Sequence, residues 1–144
     1  MPTHAENRVI SYTPAQMYDL VADIERYPEF LPWCVDVRKV SEKNNVVEAQ
    51  VAVGFKALRE RFTSRNTLTP KSRIEVEYLN GPFRYLNNHW IFHPHAKGCE
   101  VEFFIDFEFK SKLLQVIMGP LFNEAVRIMV RAFENRARTI YGRG

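Results

Sequence analysis

Cysteine is scarce in this chain: Cys34 and Cys99 are the only two among 144 residues. They stand too far apart for a CxxC redox pair or a zinc ligand set. Two buried free thiols is the simplest reading, and it fits a reducing, cytosolic compartment. Nucleotide and hydrolase signatures are missing too. No GxGxxG, P-loop, GxSxG or HExxH pattern occurs, so dinucleotide, nucleotide, serine-hydrolase and zinc-protease chemistry find no support. No apolar run reaches the ~18 residues of a membrane span, because Arg, Glu and Asn interrupt the C-terminal stretch. The opening residues, MPTHAENRV, lack the basic and then apolar regions of a secretory leader. Internal repeats, low-complexity segments and linkers are absent, which leaves one expected domain over 1–144.

Aromatics are what the chain has. With 11 Phe, 6 Tyr and 2 Trp, apolar contact rather than polar chemistry is the expected basis of function. The net charge of +3 permits contact with anionic membrane or RNA without demanding it.

Local patterns divide the chain into short helical turns, then strands, then one long helix. Asn7 to Tyr12 is a β-type run. Thr13-Pro14 starts a helix, with Thr as N-cap and Pro at the first helical position. Met17, Leu20, Val21 and Ile24 follow at helical spacing. Tyr27 to Phe30 makes another short turn, bracketed by Pro28 and Pro32. Strands are expected at Val35 to Ser41, Val46 to Val53, Ala57 to Leu68, Arg73 to Leu79, Tyr85 to Phe92 and Gly98 to Phe109. Asn44-Asn45, Pro70-Lys71 and Asn80-Gly81-Pro82 separate several of them. Clean alternation, as in Val101, Phe103, Ile105, Phe107 and Phe109 against Glu102, Asp106 and Glu108, predicts an antiparallel sheet with one packed face and one wet face.

The final helix, Lys112 to Tyr141, carries Leu114, Met118, Phe122, Ala125, Met129, Phe133 and Ile140 on one stripe. Gly119-Pro120 predicts a kink. A long amphipathic helix closing such a sheet must bury its stripe on it. If the sheet is curved, a greasy cavity remains between them.

Four segments, YPEFLPWC (27–34), FTSRNTL (62–68), GPF with WIF (81–83, 90–92) and FIDFEF (103–109) followed by Lys112-Leu113, resemble the START-like helix-grip superfamily. The chain is most similar to its coenzyme Q-binding branch, which includes mitochondrial ubiquinone-binding proteins and bacterial ribosome-association toxin homologues. The resemblance runs from about residue 3 to residue 141. It implies an α+β fold in which a curved seven-stranded antiparallel sheet grips the C-terminal helix, with a ligand cavity between. The implied ligand is a polyprenyl quinone (ubiquinone), with no cofactor and no catalytic residue. The alternative is a regulator that binds the large ribosomal subunit and blocks subunit association; a third reading is an aromatase/cyclase-type enzyme. A quinone carrier would be cytoplasmic with peripheral contact at the inner membrane. Oligomeric state stays open.

On the carrier reading the expected lining is Phe30, Trp33, Val51, Phe62, Tyr78, Trp90, Phe103, Phe107, Met118, Phe122 and Met129. Glu60, Ser64 and Asn66 share a strand face with Phe62. Either Glu60 sits at the sheet rim and Asn66 caps a turn, or the three form a polar cluster for a quinone head group. Arg59, Arg61 and Arg65 share the other face, where Glu75 and Glu77 can pair with them; the alternative is contact with ribosomal RNA or acidic lipid. His89, His93 and His95 have equal parity, but Pro94 is expected to break the strand, and the histidines are expected to face solvent rather than bind metal. The apolar run including Leu113, Leu114 and Ile117 covers more than one helix face. It reads as a membrane gate or dimer contact, against plain burial in the core.

Overall fold

The computed structural model describes residues 3–55 and 58–142. They form strands β1 (Thr3–Ile10), β2 (Cys34–Lys43), β3 (Val46–Phe55), β4 (Leu58–Thr69), β5 (Arg73–Asn80), β6 (Phe83–His95) and β7 (Gly98–Phe109). The helices are α1 (Pro14–Ala22), α2 (Lys112–Met118) and α3 (Phe122–Tyr141). One antiparallel sheet has the order β1-β7-β6-β5-β4-β3-β2. Register shifts at Cys34/Asp36, Lys39/Ser41, Thr63/Ser64 and Phe83/Tyr85 bend the strands. The expected beginning of β4 at Ala57 lies outside the described residues.

Several boundaries follow directly from local chemistry. Thr13 accepts from the Gln16 backbone N–H at 3.1 Å, and the Gln16 side chain accepts from the Thr13 N–H at 2.9 Å. This capping box, with Pro14 at the first position, fixes where α1 begins. Asn44 and Asn45 have φ of 52° and 64°, the left-handed pair that a tight β2–β3 hairpin needs. Gly119 and Pro120 interrupt the terminal helix as expected. A 3₁₀ turn over Gly119–Leu121 separates α2 from α3.

Other expectations need correction. β1 lies earlier than the Asn7 to Tyr12 run, because Ser11 and Tyr12 turn toward α1. Ile24 is not in α1 but opens a 3₁₀ turn, Ile24–Glu29. Pro94 does not break its strand: β6 continues to His95 and pairs with β7 as far as His95↔Gly98. Its other neighbour, β5, pairs only up to Ile91, so the N–H that Pro94 lacks has no ladder partner to lose. Ile140 is 49% exposed, and the buried stripe of α3 is Phe122, Val126, Met129, Val130, Phe133 and Ala137. Near its end the helix leans on α1 instead, where the Tyr141 hydroxyl donates to the Gln16 carbonyl at 2.8 Å. By length and composition alone, Lys112–Tyr141 is long and apolar enough to cross a membrane. Its apolar side chains divide between the sheet core and an exposed patch on α2.

The core lies between the concave sheet face and α3. Trp90 packs against Phe103 at 4.6 Å and Phe133 at 5.1 Å between ring centroids. α1 supplies Met17, Tyr18, Leu20 and Val21 to the same cluster. A second cluster, Phe83, Phe109 and Met118, fills the end beneath α2. At the outer edge, Arg8 of β1 ties Glu134 of α3 at 2.6 Å.

Candidate functional site

Two hollows lie between sheet and helix. The first has a volume of about 150 Å³ and is bordered by α1, the 3₁₀ turn, β2 to β7 and α3. The second, about 160 Å³, lies beneath α2 and the start of α3. Trp33, Phe62, Leu86, Ile105 and Met129 border both, so the two are adjoining chambers that meet at these side chains, here called the waist. Each is the size of a single ring.

The chambers differ in chemistry. Apolar side chains alone line the second. Ser64, Asn66 and Asn88 lend hydrogen-bonding groups to the first. Ser64 and Asn66 are 3% and 6% exposed, and the Ser64 hydroxyl donates to the Asn66 side-chain oxygen at 3.2 Å. Asn66 therefore does not cap a turn; β4 carries it into the chamber beside Phe62 and Leu68. Glu60 is only half-buried and borders neither chamber. The Asn88 amide donates to the Phe104 carbonyl at 2.7 Å, which satisfies part of its polarity within the sheet. The Trp33 indole N–H is buried without an acceptor.

Two titratable groups border the first chamber, and neither ionises near neutral pH. Burial, with Asp36 adding to it, pushes the Cys34 thiol up to about 11. Burial drives the Tyr27 phenol far above its usual range, and its hydroxyl is already given to the Val21 carbonyl. No carboxylate, imidazole, ammonium or guanidinium lines either chamber among the described residues. Such a hollow can enclose and orient an apolar molecule. It offers little for acid–base chemistry.

The structure places Trp33, Val51, Phe62, Trp90, Phe103, Phe107, Met118, Phe122 and Met129 on the chamber walls. Phe30 and Tyr78 are elsewhere. The Phe30 ring packs edge-on against Phe133 and Tyr27, and the Arg136 guanidinium lies 5.1 Å above it. Tyr78 borders a polar hollow between β5 and β6, and its hydroxyl accepts from the Phe83 N–H at 3.0 Å. Leu31, Leu86, Asn88 and Phe133 also line the first chamber. Strand parity with Trp90 could have found Leu86 and Asn88. Leu31, which sits outside any strand or helix, lies in the YPEFLPWC segment but has no periodicity that would point it inward.

On α2, Leu113 is 69% exposed, Val116 72% and Ile117 45%. Leu114 turns inward and packs on the second cluster instead. Exposed Lys110 and Lys112 flank this patch. Two hydrogen bonds tie the start of α2: Ser111 accepts from the Leu114 N–H, and the Gln115 side chain accepts from the Phe109 N–H at 3.0 Å.

On the opposite sheet face, Arg65 bonds Glu48 at 3.1 Å and Glu77 at 3.3 Å. His89 and His93 both approach Glu102, at 3.3 and 3.2 Å. The hydrogen bond from His93, ahead of that from His89, holds the Glu102 carboxyl below the usual range despite partial burial.

A protein-family model described as polyketide cyclase / dehydrase and lipid transport matches residues 10–134. The ribosome association toxin RatA of Rickettsia prowazekii is 38% identical over 97% of this chain and 99% of its own. The coenzyme Q-binding protein COQ10 homolog B, mitochondrial, of Xenopus laevis is 37% identical over 97% of this chain and 59% of its own. The solution structure of the 18 kDa protein CC1736 from Caulobacter crescentus superposes with a TM-score of 0.81, at 37% identity over 99% of both chains.

Proposed function

The chain belongs to the polyketide cyclase / dehydrase and lipid transport family and has its START-like helix-grip fold, and from that premise we propose that it carries a polyprenyl quinone in the hollow between sheet and α3. The observation that carries this reading is the pair of adjoining chambers, one with hydrogen-bonding groups and one wholly apolar. A quinone has the same two halves: an oxygenated ring and a hydrocarbon tail. Each CH₂ taken from water contributes roughly 0.8 kcal/mol before ordering costs. The tail requires more room than two ring-sized chambers, so α2 swings outward during loading. Its exposed Leu113, Val116 and Ile117 then meet the bilayer, and Lys110 and Lys112 favour an anionic surface. The similarity to a relative named as coenzyme Q-binding supports this reading. On it, the protein is cytoplasmic and touches the inner membrane during transfer.

The test is extraction of the protein purified from its own host, followed by mass spectrometry. A stoichiometric quinone supports the carrier; repeated absence of any lipid overturns it.

A second reading rests on a different surface. Arg127 and Arg131 are exposed one turn apart on α3 and make no ion pair among the described residues. Several relatives are named as ribosome association toxins. On this reading α3 meets ribosomal RNA of the large subunit.

A further inference from the structure

Among the described residues, half-buried Trp33 is the one side chain that both borders each chamber and keeps a buried hydrogen-bond donor without an acceptor. It sits at the waist, just before β2, held in place by a short segment. The Trp33 carbonyl accepts from the Gly54 N–H at 2.8 Å, and the Cys34 N–H is bonded to the Leu31 carbonyl. The backbone of this loop is therefore tied down on both sides of the ring. A buried N–H without an acceptor costs free energy comparable to a lost hydrogen bond, and is rare in folded proteins. Such a group retained in a hollow marks the place where a ligand atom completes the pair. The ligand atom must be an acceptor, because indole only donates, and a ring carbonyl oxygen is one.

The other polar groups agree in position. The bonded pair Ser64–Asn66 lies in the first chamber, and apart from Trp33 at the waist the second chamber is lined by hydrocarbon and thioether side chains. An oxygen-bearing ring is thus stabilised only on the first side of the waist. An alkyl or prenyl chain meets no competing polar pair on the second, which leads to α2.

We propose that Trp33 is the head-group residue: its Nε1–H donates to a ring oxygen of the ligand, which lies ring-inward between Trp33 and the Ser64–Asn66 pair, with its tail running under α2. This rests on the carrier reading above and adds to it the ligand's polarity, its direction and the residue that selects it. Selection follows from the same asymmetry. A ligand lacking the ring oxygen leaves the indole N–H unmet, whereas a ligand that supplies it completes that hydrogen bond.

The experiment compares two probes of equal tail length: a ubiquinone with two isoprene units, and a benzene ring carrying the same two units without ring oxygens. Both are titrated against the parent and Trp33→Phe, which keeps an aromatic ring at the waist and removes the N–H. The parent should prefer the quinone. Trp33→Phe should lose about tenfold on the quinone and less than twofold on the hydrocarbon. Because Trp33→Phe also alters packing, the intact parent gives a separate readout. The Trp33 indole N–H resonance, distinguished from that of Trp90, should move downfield with the quinone and not with the hydrocarbon. Equal quinone affinity in parent and variant, or an indole resonance indifferent to which probe is bound, overturns the head-group assignment while leaving the carrier reading standing. A parent that binds neither probe overturns both.

Discussion

A Cβ placed on Gly81 would lie 2.6 Å from the Cβ of Phe62. Gly81 also has φ of 149°, a conformation that residues with a side chain rarely adopt. The β5–β6 turn can therefore close on β4 only through glycine. That closure sets the Phe83 ring 5.7 Å from Phe62 and 5.3 Å from Phe107, both on the chamber walls. Gly81→Ala should cost about 2–3 kcal/mol, from backbone strain and the steric conflict together. It should also displace Phe62 at the waist. Chemical denaturation measures the first, and loss of quinone affinity beyond the stability change measures the second.

Core truncations should separate two classes of wall residue. Trp90 is 7% exposed and packed on Phe103 and Phe133. Phe107 is only half-buried and faces the second chamber. Trp90→Ala should cost about 3–5 kcal/mol, as deletion of a fully packed aromatic does. Phe107→Ala should cost clearly less, because it enlarges a hollow that already exists. Equal losses in denaturant titrations would mean that Phe107 is ordinary core.

How much of this was legible beforehand depended on whether a signal was local. The capping box at Thr13–Gln16, the Asn44-Asn45 hairpin and the Gly119-Pro120 break are each written in adjacent residues. Strand parity likewise brought Phe62, Trp90, Phe103 and Phe107 to one side. Parity does not say where a neighbouring strand ends, so it cannot show that Pro94 is tolerated on β6. It also cannot distinguish a polar residue at a rim from one carried inward, as Asn66 is. Ile140 keeps the helical spacing of Phe133 but lies beyond the sheet, and spacing alone carries no information about the sheet's extent. The unused donor of Trp33 is a property of three dimensions only.

The two thiols should make stability fall at alkaline pH. Burial raises Cys34 and Cys99 from an ordinary value near 9.0 to about 11. The unfolded chain then gives up its thiol protons first. The stabilising contribution is whole below pH 9 and is lost as pH climbs from 9 toward 11. Melting temperature should drop across that window, and less so in a Cys34→Ala, Cys99→Ala chain. At pH 7.5 both native thiols should resist iodoacetamide, because the thiolate is the reacting form. Only Cys34 borders a chamber, so in a Cys99→Ala chain quinone should slow the remaining labelling at pH 9 further.

The α2 patch should behave as a gate rather than as core. Changing Leu113 and Ile117 together to Lys should leave the melting temperature nearly unchanged, given their exposure. It should weaken vesicle binding and slow quinone transfer. Amide exchange should be much faster over residues 113–118 than over 125–135. A 3₁₀ turn at Gly119–Leu121 replaces regular α-helix between the two, and Pro120 cannot donate within it. Equal protection in both segments, or collapse of the double Lys chain, would make this run part of the core.

Carrier and ribosome readings part at the arginines. Arg65 is held by Glu48 and Glu77, and Arg59 is not free either, so the β4 row, in which Arg61 makes no ion pair among the described residues, is in part neutralised by its own sheet. The outward row on α3 is not: Arg127 and Arg131 carry no ion pair among the described residues, and Arg131 borders a groove of about 470 Å³ with Phe30 and Asn135. If the protein binds the large ribosomal subunit, charge reversal of Arg127 and Arg131 should reduce co-sedimentation. It should also lower the magnitude of the slope of log affinity against log salt by about two, one for each phosphate contact removed. Reversal of Arg59, Arg61 and Arg65 should leave that slope nearly intact, and its main effect should be modest destabilisation from stranded Glu48 and Glu77. Quinone binding should survive both sets, because none of these arginines reaches the chambers. The opposite pattern, with sedimentation lost only in the β4 set, would move the nucleic-acid contact to the sheet. Salt-steep sedimentation unchanged in both would remove arginine rows from the account and leave the carrier reading without a rival on this surface.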